Sequence, residues 1–196
     1  MFVIRNVKVQ ILGLLMAFAA TTTVYAQDEG NIVETLSAID GTQALVAAVL
    51  VVDESGALEF SVAESLSVID NLVLFAPTNP AFEALLGLDS GFLDGLSVDD
   101  VKAALPGILS DLGLTVSDVI DILLLHVGRT ENASSGDLLF GGSIKVVGSS
   151  DSLPISLGSE GVRINYESNV TIADIGASNG VIHFIDTVIV DDVLTP

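Results

Sequence analysis

The spacing of apolar residues changes once along this chain, from helical to extended. In the first two-thirds they recur three or four positions apart, as at Ile32, Val33, Leu36 and Ile39, which is the spacing of an amphipathic helix. After Gly142 short β-branched runs alternate with Gly, Ser, Asp and Asn, a pattern typical of strands and turns. Helices grouped before strands predict an α+β fold rather than alternating βαβ units.

The same patterns predict individual elements. Helices are expected at 32–39, 42–52, after Asn79, from Val98 to Leu105 and at 115–125, and residues 53–70 are expected to form a turn followed by a short amphipathic helix or an irregular segment. Loops are expected at 88–95 and 128–135. Strands are expected at 72–76, 143–147, 153–157, 162–166, 170–173 and 181–190.

Local signals refine these expectations. The five apolar residues Leu72 to Ala76 predict a strand buried on both faces, which Pro77 ends because it lacks a donor. Asn79 is predicted to cap a helix with Pro80 at its first position, and Ser97 to open another. The Pro106-Gly107 pair is predicted to interrupt that second helix.

The chain has 196 residues and no internal repeat, which predicts one domain plus a short leader. Apolar residues make up 50% and mean hydropathy is +0.70, so a core is expected rather than disorder. Aromatics are only 5%, so that core must consist of Val, Leu, Ile and Ala. Without cysteine there is no disulfide, thiolate metal site or lipid-modified cysteine.

The N-terminus has the three parts of a secretory signal peptide. Arg5 and Lys8 precede an apolar run from Ile11 to Ala20, and small residues flank Tyr25 up to a cleavage point after Ala26. The alternative, an uncleaved anchor, needs about 20 apolar residues. We therefore expect a signal peptide over 1–26, a flexible acidic entry over 27–30 and one domain over 31–193, secreted to an extracellular or periplasmic location without stable membrane insertion.

The charge balance excludes some partners. Six basic residues stand against 26 acidic ones, a net charge of −20, and loss of the leader would remove Arg5 and Lys8. Such a surface repels nucleic acids and anionic lipid headgroups.

Three segments stand out as motifs. They read Asn71-Leu-Val-Leu-Phe-Ala-Pro-Thr-Asn-Pro-Ala-Phe82, Leu123-Leu-Leu-His126 and Ser178-Asn-Gly-Val-Ile-His-Phe-Ile-Asp-Thr-Val-Ile-Val190. In this order they resemble the first box, the central Tyr-His segment and the second box of the fasciclin (FAS1) domain family. The resemblance covers about Asn31 to Val193. It departs from the family at Leu125, where Tyr is usual, at Pro80, where an acidic residue is common, and in a longer 54–70 segment.

This resemblance implies a FAS1-like fold, in which a helical layer packs on a compact β-wedge or sandwich with the two boxes side by side in the core. It also implies a non-enzymatic adhesion module at the cell surface or in extracellular matrix. Animal members use the Tyr-His segment and an Asp-Ile pair in integrin recognition. The matching residues Leu125, His126, Asp174 and Ile175 are thus the candidate partner-binding residues, although the missing Tyr argues against integrin-type binding.

The boxes themselves are predicted to be structural. Alternation over 181–190 places His183 on one face of a central strand and Asp186 on the other, each needing a hydrogen-bond partner in the backbone or the Thr78-Asn79 turn. Asn179-Gly180 is predicted to form a tight turn that uses a positive φ at Gly180. The structural residues are Phe75, Pro77, Thr78, Asn79, Phe82, Asn179, Gly180, His183 and Asp186.

Catalytic and metal-binding alternatives have less support. His126, His183 and Asp186 suggest zinc or a triad, but there are only two His and no Cys for zinc, and no nucleophile elbow. Acidic clusters at 53–54, 99–100 and 191–192 are either solvated or loose calcium sites without an EF-hand pattern. Asn132 and Asn169 begin formal glycosylation sequons.

The sequence therefore predicts an exported interaction module that binds a surface or matrix protein or polysaccharide, with no enzymatic activity and no cofactor. The alternative is a soluble exported protein that binds a small molecule or saccharide, and a hydrolase is a more distant third. A concave pocket with convergent polar groups would favour the alternative, and an exposed flat apolar patch would favour adhesion.

Overall fold

The computed structural model describes residues 30–131, 134–159 and 161–190. The expected leader at 1–26, most of the acidic entry, the sequon residue Asn132 and the acidic pair 191–192 lie outside the described residues. Within the described ranges, no helix has the length and apolar composition needed to cross a bilayer.

Helices dominate the first part of the described chain and strands the last, as the α+β prediction requires. The helices are α1 Ile32–Ser37, α2 Gln43–Ser55, α3 Val62–Val68, α4 Asn79–Leu86, α5 Val98–Asp111, α6 Val116–Leu125 and α7 Ser135–Gly141. The strands are β1 Leu72–Pro77, β2 Val127–Arg129, β3 Ser143–Lys145, β4 Ser152–Gly158, β5 Gly161–Ile164, β6 Ser168–Ala177 and β7 Gly180–Ile185.

The strands form one sheet in the order β2-β1-β7-β6-β5-β4-β3. Only the β1–β7 pair is parallel, and it joins the two motif segments along six residues of register. A bridge between Gly128 and Val146 brings the two outer strands, β2 and β3, together. The sheet therefore wraps round and its ends meet.

Two hydrophobic clusters lie on the two faces of the central strands. Leu72, Leu74 and Ala76 of β1 pack with the helices, together with Ile182 and Phe184 of β7. The alternate residues Val73, Phe75 and Ile185 pack in a second cluster with residues of β3, β4 and β5. Because every residue of β1 is buried, the predicted strand with two buried faces is confirmed.

Polar side chains start most helices. Asn31, Ser97 and Thr115 form reciprocal capping boxes with the acidic residue three positions later. These contacts satisfy backbone N–H groups that have no partner within the helix. The prediction that Ser97 opens a helix is confirmed.

The predicted helix break at Pro106-Gly107 is wrong. Helix α5 continues through Pro106 to Asp111 because Leu105 and Leu109, on either side of the proline, are both buried in the helical core cluster. Their burial offsets the backbone hydrogen bond that proline cannot donate.

Three other elements differ from the predictions. The expected loop at 128–135 begins with the end of β2, because residues 127–129 pair with 72–74 of β1. Helix α7 was not predicted. Strand β7 ends at Ile185, not Val190, because Asp186 binds Asn169 through its side chain and the Thr187 carbonyl accepts a hydrogen bond from the Ser168 hydroxyl.

Candidate functional site

The two boxes lie side by side at the centre of the sheet, as the sequence resemblance implies. Phe75 of β1 is in register with His183 of β7. Their rings stack with centroids 5.9 Å apart and an interplanar angle of 27°. Both side chains are fully buried, so this contact stabilises the core and offers no exposed surface.

The end of the first box ties β1 to β7 and to α2. The Thr78 backbone N–H donates to the Ile185 carbonyl over 3.2 Å, directly after Pro77 ends β1. Thr78 is the N-cap of α4, so the prediction that Asn79 caps this helix is wrong. The Asn79 side chain instead accepts from the Ala44 N–H and donates to the Gln43 side chain, because Thr42 gives α2 no side-chain cap.

The Asn179 side chain likewise bonds the first turn of α1. Its Oδ1 accepts from the Ile32 N–H over 2.9 Å, and its Nδ2 donates to the carbonyls of Leu66 and Ile69 at the end of α3. One buried amide thus connects two helices to the turn before β7. All of these partners are distant in sequence, so this contact depends on the whole fold.

Gly180 is required for a reason other than the predicted one. It begins β7 after a turn at 178–179 and is not among the glycines with positive φ. A Cβ atom at Gly180 would come within 2.3 Å of the Leu72 carbonyl oxygen. The glycine therefore permits the close approach of β7 to β1.

His183 finds its partner in the backbone, one of the two predicted possibilities. Its Nδ1 accepts from the Asp174 N–H over 3.1 Å. Asp174 has a φ of +62° and lies at an irregularity of β6, between residues 172 and 175, which turns its N–H toward the imidazole.

The Asp174 carboxylate binds α7. Its Oδ1 accepts from the Ser135 N–H over 2.7 Å, and its Oδ2 accepts from the Ser135 hydroxyl over 2.6 Å. Asp174 thus connects the central strand β7 to α7, through its backbone on one side and its side chain on the other.

His126 caps the end of α6 inside the protein. Its Nδ1 donates to the Ile122 carbonyl over 2.7 Å and its Nε2 accepts from the Ile189 N–H over 2.9 Å, which requires the neutral tautomer with the proton on Nδ1. Burial lowers the pKa of His126 to about 4, so the ring is neutral at pH 7. Its carbonyl accepts from the Phe75 N–H, which also ties this segment to the first box.

Asp186 holds the chain beyond β7. Its carboxylate accepts from the backbone N–H and the side-chain Nδ2 of Asn169. Burial raises the pKa of this carboxyl, but the hydrogen bonds from Asn169 and Thr187 together leave the pKa below its usual value. The Asn169 side chain is thus engaged with both Asp186 and Arg163.

The four candidate partner-binding residues do not form one exposed surface. Leu125, His126 and Ile175 are buried at 4%, 1% and 6% exposure, and only Asp174 is exposed. The buried three cannot touch a partner while the domain keeps this fold. Partner binding near Asp174 stays a prediction.

Sequence reasoning missed an exposed residue on the helix that Asp174 binds. Phe140, on α7, is 94% exposed, the most exposed of the large apolar side chains in the described residues. The signal for α7 was present, because Ser134 accepts from the Asp137 N–H three residues later and so caps the helix. An exposed aromatic ring on an anchored helix is suited to contact with a macromolecule.

The chemistry of the boxes is structural in this arrangement. Each histidine uses a ring nitrogen to hold a backbone N–H. No group of three potential metal ligands occurs within the described ranges. The residues of the motifs hold helices and strands together.

Comparisons with known proteins agree with this architecture. The family model for the fasciclin domain matches residues 56–191. The chain is similar in fold to the FAS1 domain pair from the insect cell adhesion molecule Fasciclin I, with a TM-score of 0.58 and 16% identity over 83% of this chain. It spans about half, 51%, of that chain. None of the curated proteins compared matches it. The chain belongs to the fasciclin domain family.

Proposed function

We propose that this chain is an exported, non-catalytic module that binds a macromolecule of the cell surface or extracellular matrix. The observation that carries the proposal is the fasciclin-domain match across residues 56–191. The inward hydrogen bonds of both histidines support it, since they occupy the side chains most suited to catalysis.

The surface that we propose for binding comprises Asp174 and α7 with Phe140, called here the α7 surface. Asp174 fixes the start of α7 through Ser135, and Phe140 lies near its end. An exposed phenylalanine on an anchored helix supplies apolar area at little cost in conformational entropy. A domain of this size offers about 800 Å² to one partner, so strong attachment requires several copies acting together.

Export is part of the same proposal, with residues 1–26 as the leader. N-terminal sequencing of the protein recovered outside the cytoplasm should then begin at Gln27. A chain that still begins at Met1 and sediments with membranes would contradict export.

Gene deletion tests the proposed function. Loss of the gene should weaken attachment or matrix cohesion, and added purified protein should restore it or compete with it. Unchanged attachment, together with turnover of a substrate by the purified chain, would overturn the proposal.

A further inference from the structure

A crevice of about 50 Å³ lies where α1, α2, α3 and α6 meet above the sheet. Leu74 of the first box lies in its wall, but no residue of the α7 surface does. Its lining is aliphatic apart from one histidine: Val33, Leu36, Leu45, Val46, Val49, Leu50, Val62, Ala63, Leu66, Leu74, Leu123, Leu124, His126 and Val127.

Water finds few hydrogen-bond partners in this space. A buried water molecule needs two to four polar partners, and the one polar side chain of the lining is His126. Both ring nitrogens of His126 are already bonded, to Ile122 and Ile189. The lining therefore offers water few hydrogen bonds, and an apolar guest would restore the dispersion contacts that its walls lack.

The crevice reaches the surface on one side. Its deep wall is formed by fully buried residues such as Leu36 and Leu74, whereas Val46, Leu50 and Ala63 are only half-buried. A guest can thus enter between helices while its other end remains in solvent. Since one water-sized group needs about 10–15 Å³, the space accepts roughly four carbon-sized groups.

We propose that this crevice binds the end of a single linear aliphatic chain belonging to a free amphiphile in solution. The volume suits a narrow chain better than a branched or polycyclic group. The net charge of −20 disfavours an anionic headgroup, so the headgroup is neutral or cationic. This site does not depend on the proposed adhesion function.

Two valines of α2 provide a matched pair of variants. Val46 lines the crevice, whereas Val51, five residues later and also half-buried, lines a separate groove against α5. Val46→Phe should fill the crevice, and Val51→Phe adds the same bulk elsewhere. Ala63→Leu is a milder filling variant that tests the same space should Val46→Phe fail to fold.

The experiment is titration of the purified, isotope-labelled chain with 1-octanol, followed by the methyl resonances of the lining residues. We expect saturable shifts confined to that lining, about tenfold weaker binding in Val46→Phe or Ala63→Leu, and unchanged binding in Val51→Phe. Octanoate should bind more weakly than 1-octanol at low salt, and 1-adamantanol should not bind.

Several results would overturn the proposal. These are shifts that do not saturate, shifts centred on the α5 groove, equal effects of Val46→Phe and Val51→Phe, or equal binding of 1-adamantanol. Neutral phosphatidylcholine vesicles test the source of the chain: the protein should stay in the supernatant. Sedimentation with vesicles that Val46→Phe abolishes would contradict a free amphiphile and assign the chain to a membrane lipid.

Discussion

The Oδ1 of Asn179 lies 2.9 Å from the backbone nitrogen of Ile32 and accepts its hydrogen bond. The two residues are 147 positions apart, so a residue of the second box adds to the cap that Asn31 gives α1. Asn79 of the first box accepts from the Ala44 N–H in the first turn of α2. The two box asparagines thus bond the N-terminal N–H groups of helices that are distant in sequence. This explains how buried residues of the boxes help to define the fold.

Asn179→Ala should lower the free energy of unfolding by about 2 kcal/mol, because it leaves the Ile32 N–H of α1 without its acceptor and the Leu66 and Ile69 carbonyls without their donor. Asn31→Ala is the matched control, since Asn31 caps the same helix from its own exposed N-terminus. Its loss should cost about 1 kcal/mol or less. Urea denaturation measures both, and equal midpoints for Asn179→Ala and wild type would refute the role of Asn179.

Gly180→Ala and Gly107→Ala should change stability in opposite directions. A Cβ atom at Gly180 would meet the Leu72 carbonyl oxygen at 2.3 Å, so β7 must move away from β1. Gly107 lies in α5 with nothing within 4 Å of the new atom, and Ala there should stabilise by up to about 1 kcal/mol. Thermal melts that show Gly180→Ala as stable as wild type would contradict the close contact of the boxes.

The burial of His126 predicts a loss of stability in mild acid. The unfolded chain takes up a proton near pH 6.5, whereas the folded chain resists it down to about pH 4. Titration of His126 therefore leaves the free energy of unfolding unchanged above pH 6.5. It lowers that free energy by about 3 kcal/mol in total as pH falls from 6.5 to 4.

His126→Asn is the control for this pH dependence, because Asn can still donate to the Ile122 carbonyl but does not titrate. It should be less stable than wild type at pH 7 and show a flatter loss between pH 6.5 and 4. Parallel curves for the two proteins, from denaturant melts at several pH values, would show that His126 is not the group responsible.

Salt should stabilise the domain. The chain carries 26 acidic residues against six basic ones, and the described part contains one ion pair, between Lys102 and Glu54. Screening of the remaining repulsion should raise the midpoint of thermal unfolding between about 10 and 500 mM NaCl. A flat or falling midpoint would show that repulsion contributes little.

The sequence predicted the parts of the fold that depend on strong local patterns. The apolar run before Pro77 predicted a strand buried on both faces, and the motif resemblance predicted that the two boxes lie side by side. The predicted helix break at Pro106 is wrong because burial of Leu105 and Leu109 against the helical core outweighs the local preference of proline. Propensity at one residue does not report such tertiary packing.

The candidate site was less predictable. A buried partner for His183 was expected, but its identity depends on the positive φ of Asp174, which a sequence does not show. The family resemblance makes Leu125 and Ile175 candidate partner-binding residues, whereas their apolar side chains lie in the core. Whether these two side chains are exposed depends on how the helices and strands pack, which the sequence does not show.

Substitutions that leave the core intact can test binding by the α7 surface. Ile175→Ala is unsuitable because it creates a cavity in the core, with an expected cost of about 2–5 kcal/mol. Phe140→Ser removes a side chain that is almost entirely exposed, and Phe92→Ser, at a half-exposed position in the turn before α5, is the control. Phe140→Ser should remain within about 0.5 kcal/mol of wild type. Phe92→Ser should cost about 1 kcal/mol, because half of that side chain is buried, and should leave the domain folded.

The most direct test of the account is a binding isotherm of the purified chain on surface or matrix material isolated from its own source. We expect saturable binding by wild type and by Phe92→Ser, and binding weakened about tenfold by Phe140→Ser. Absence of saturable binding by the wild-type chain, or equal isotherms for the three proteins, would contradict an interaction module that acts through the α7 surface.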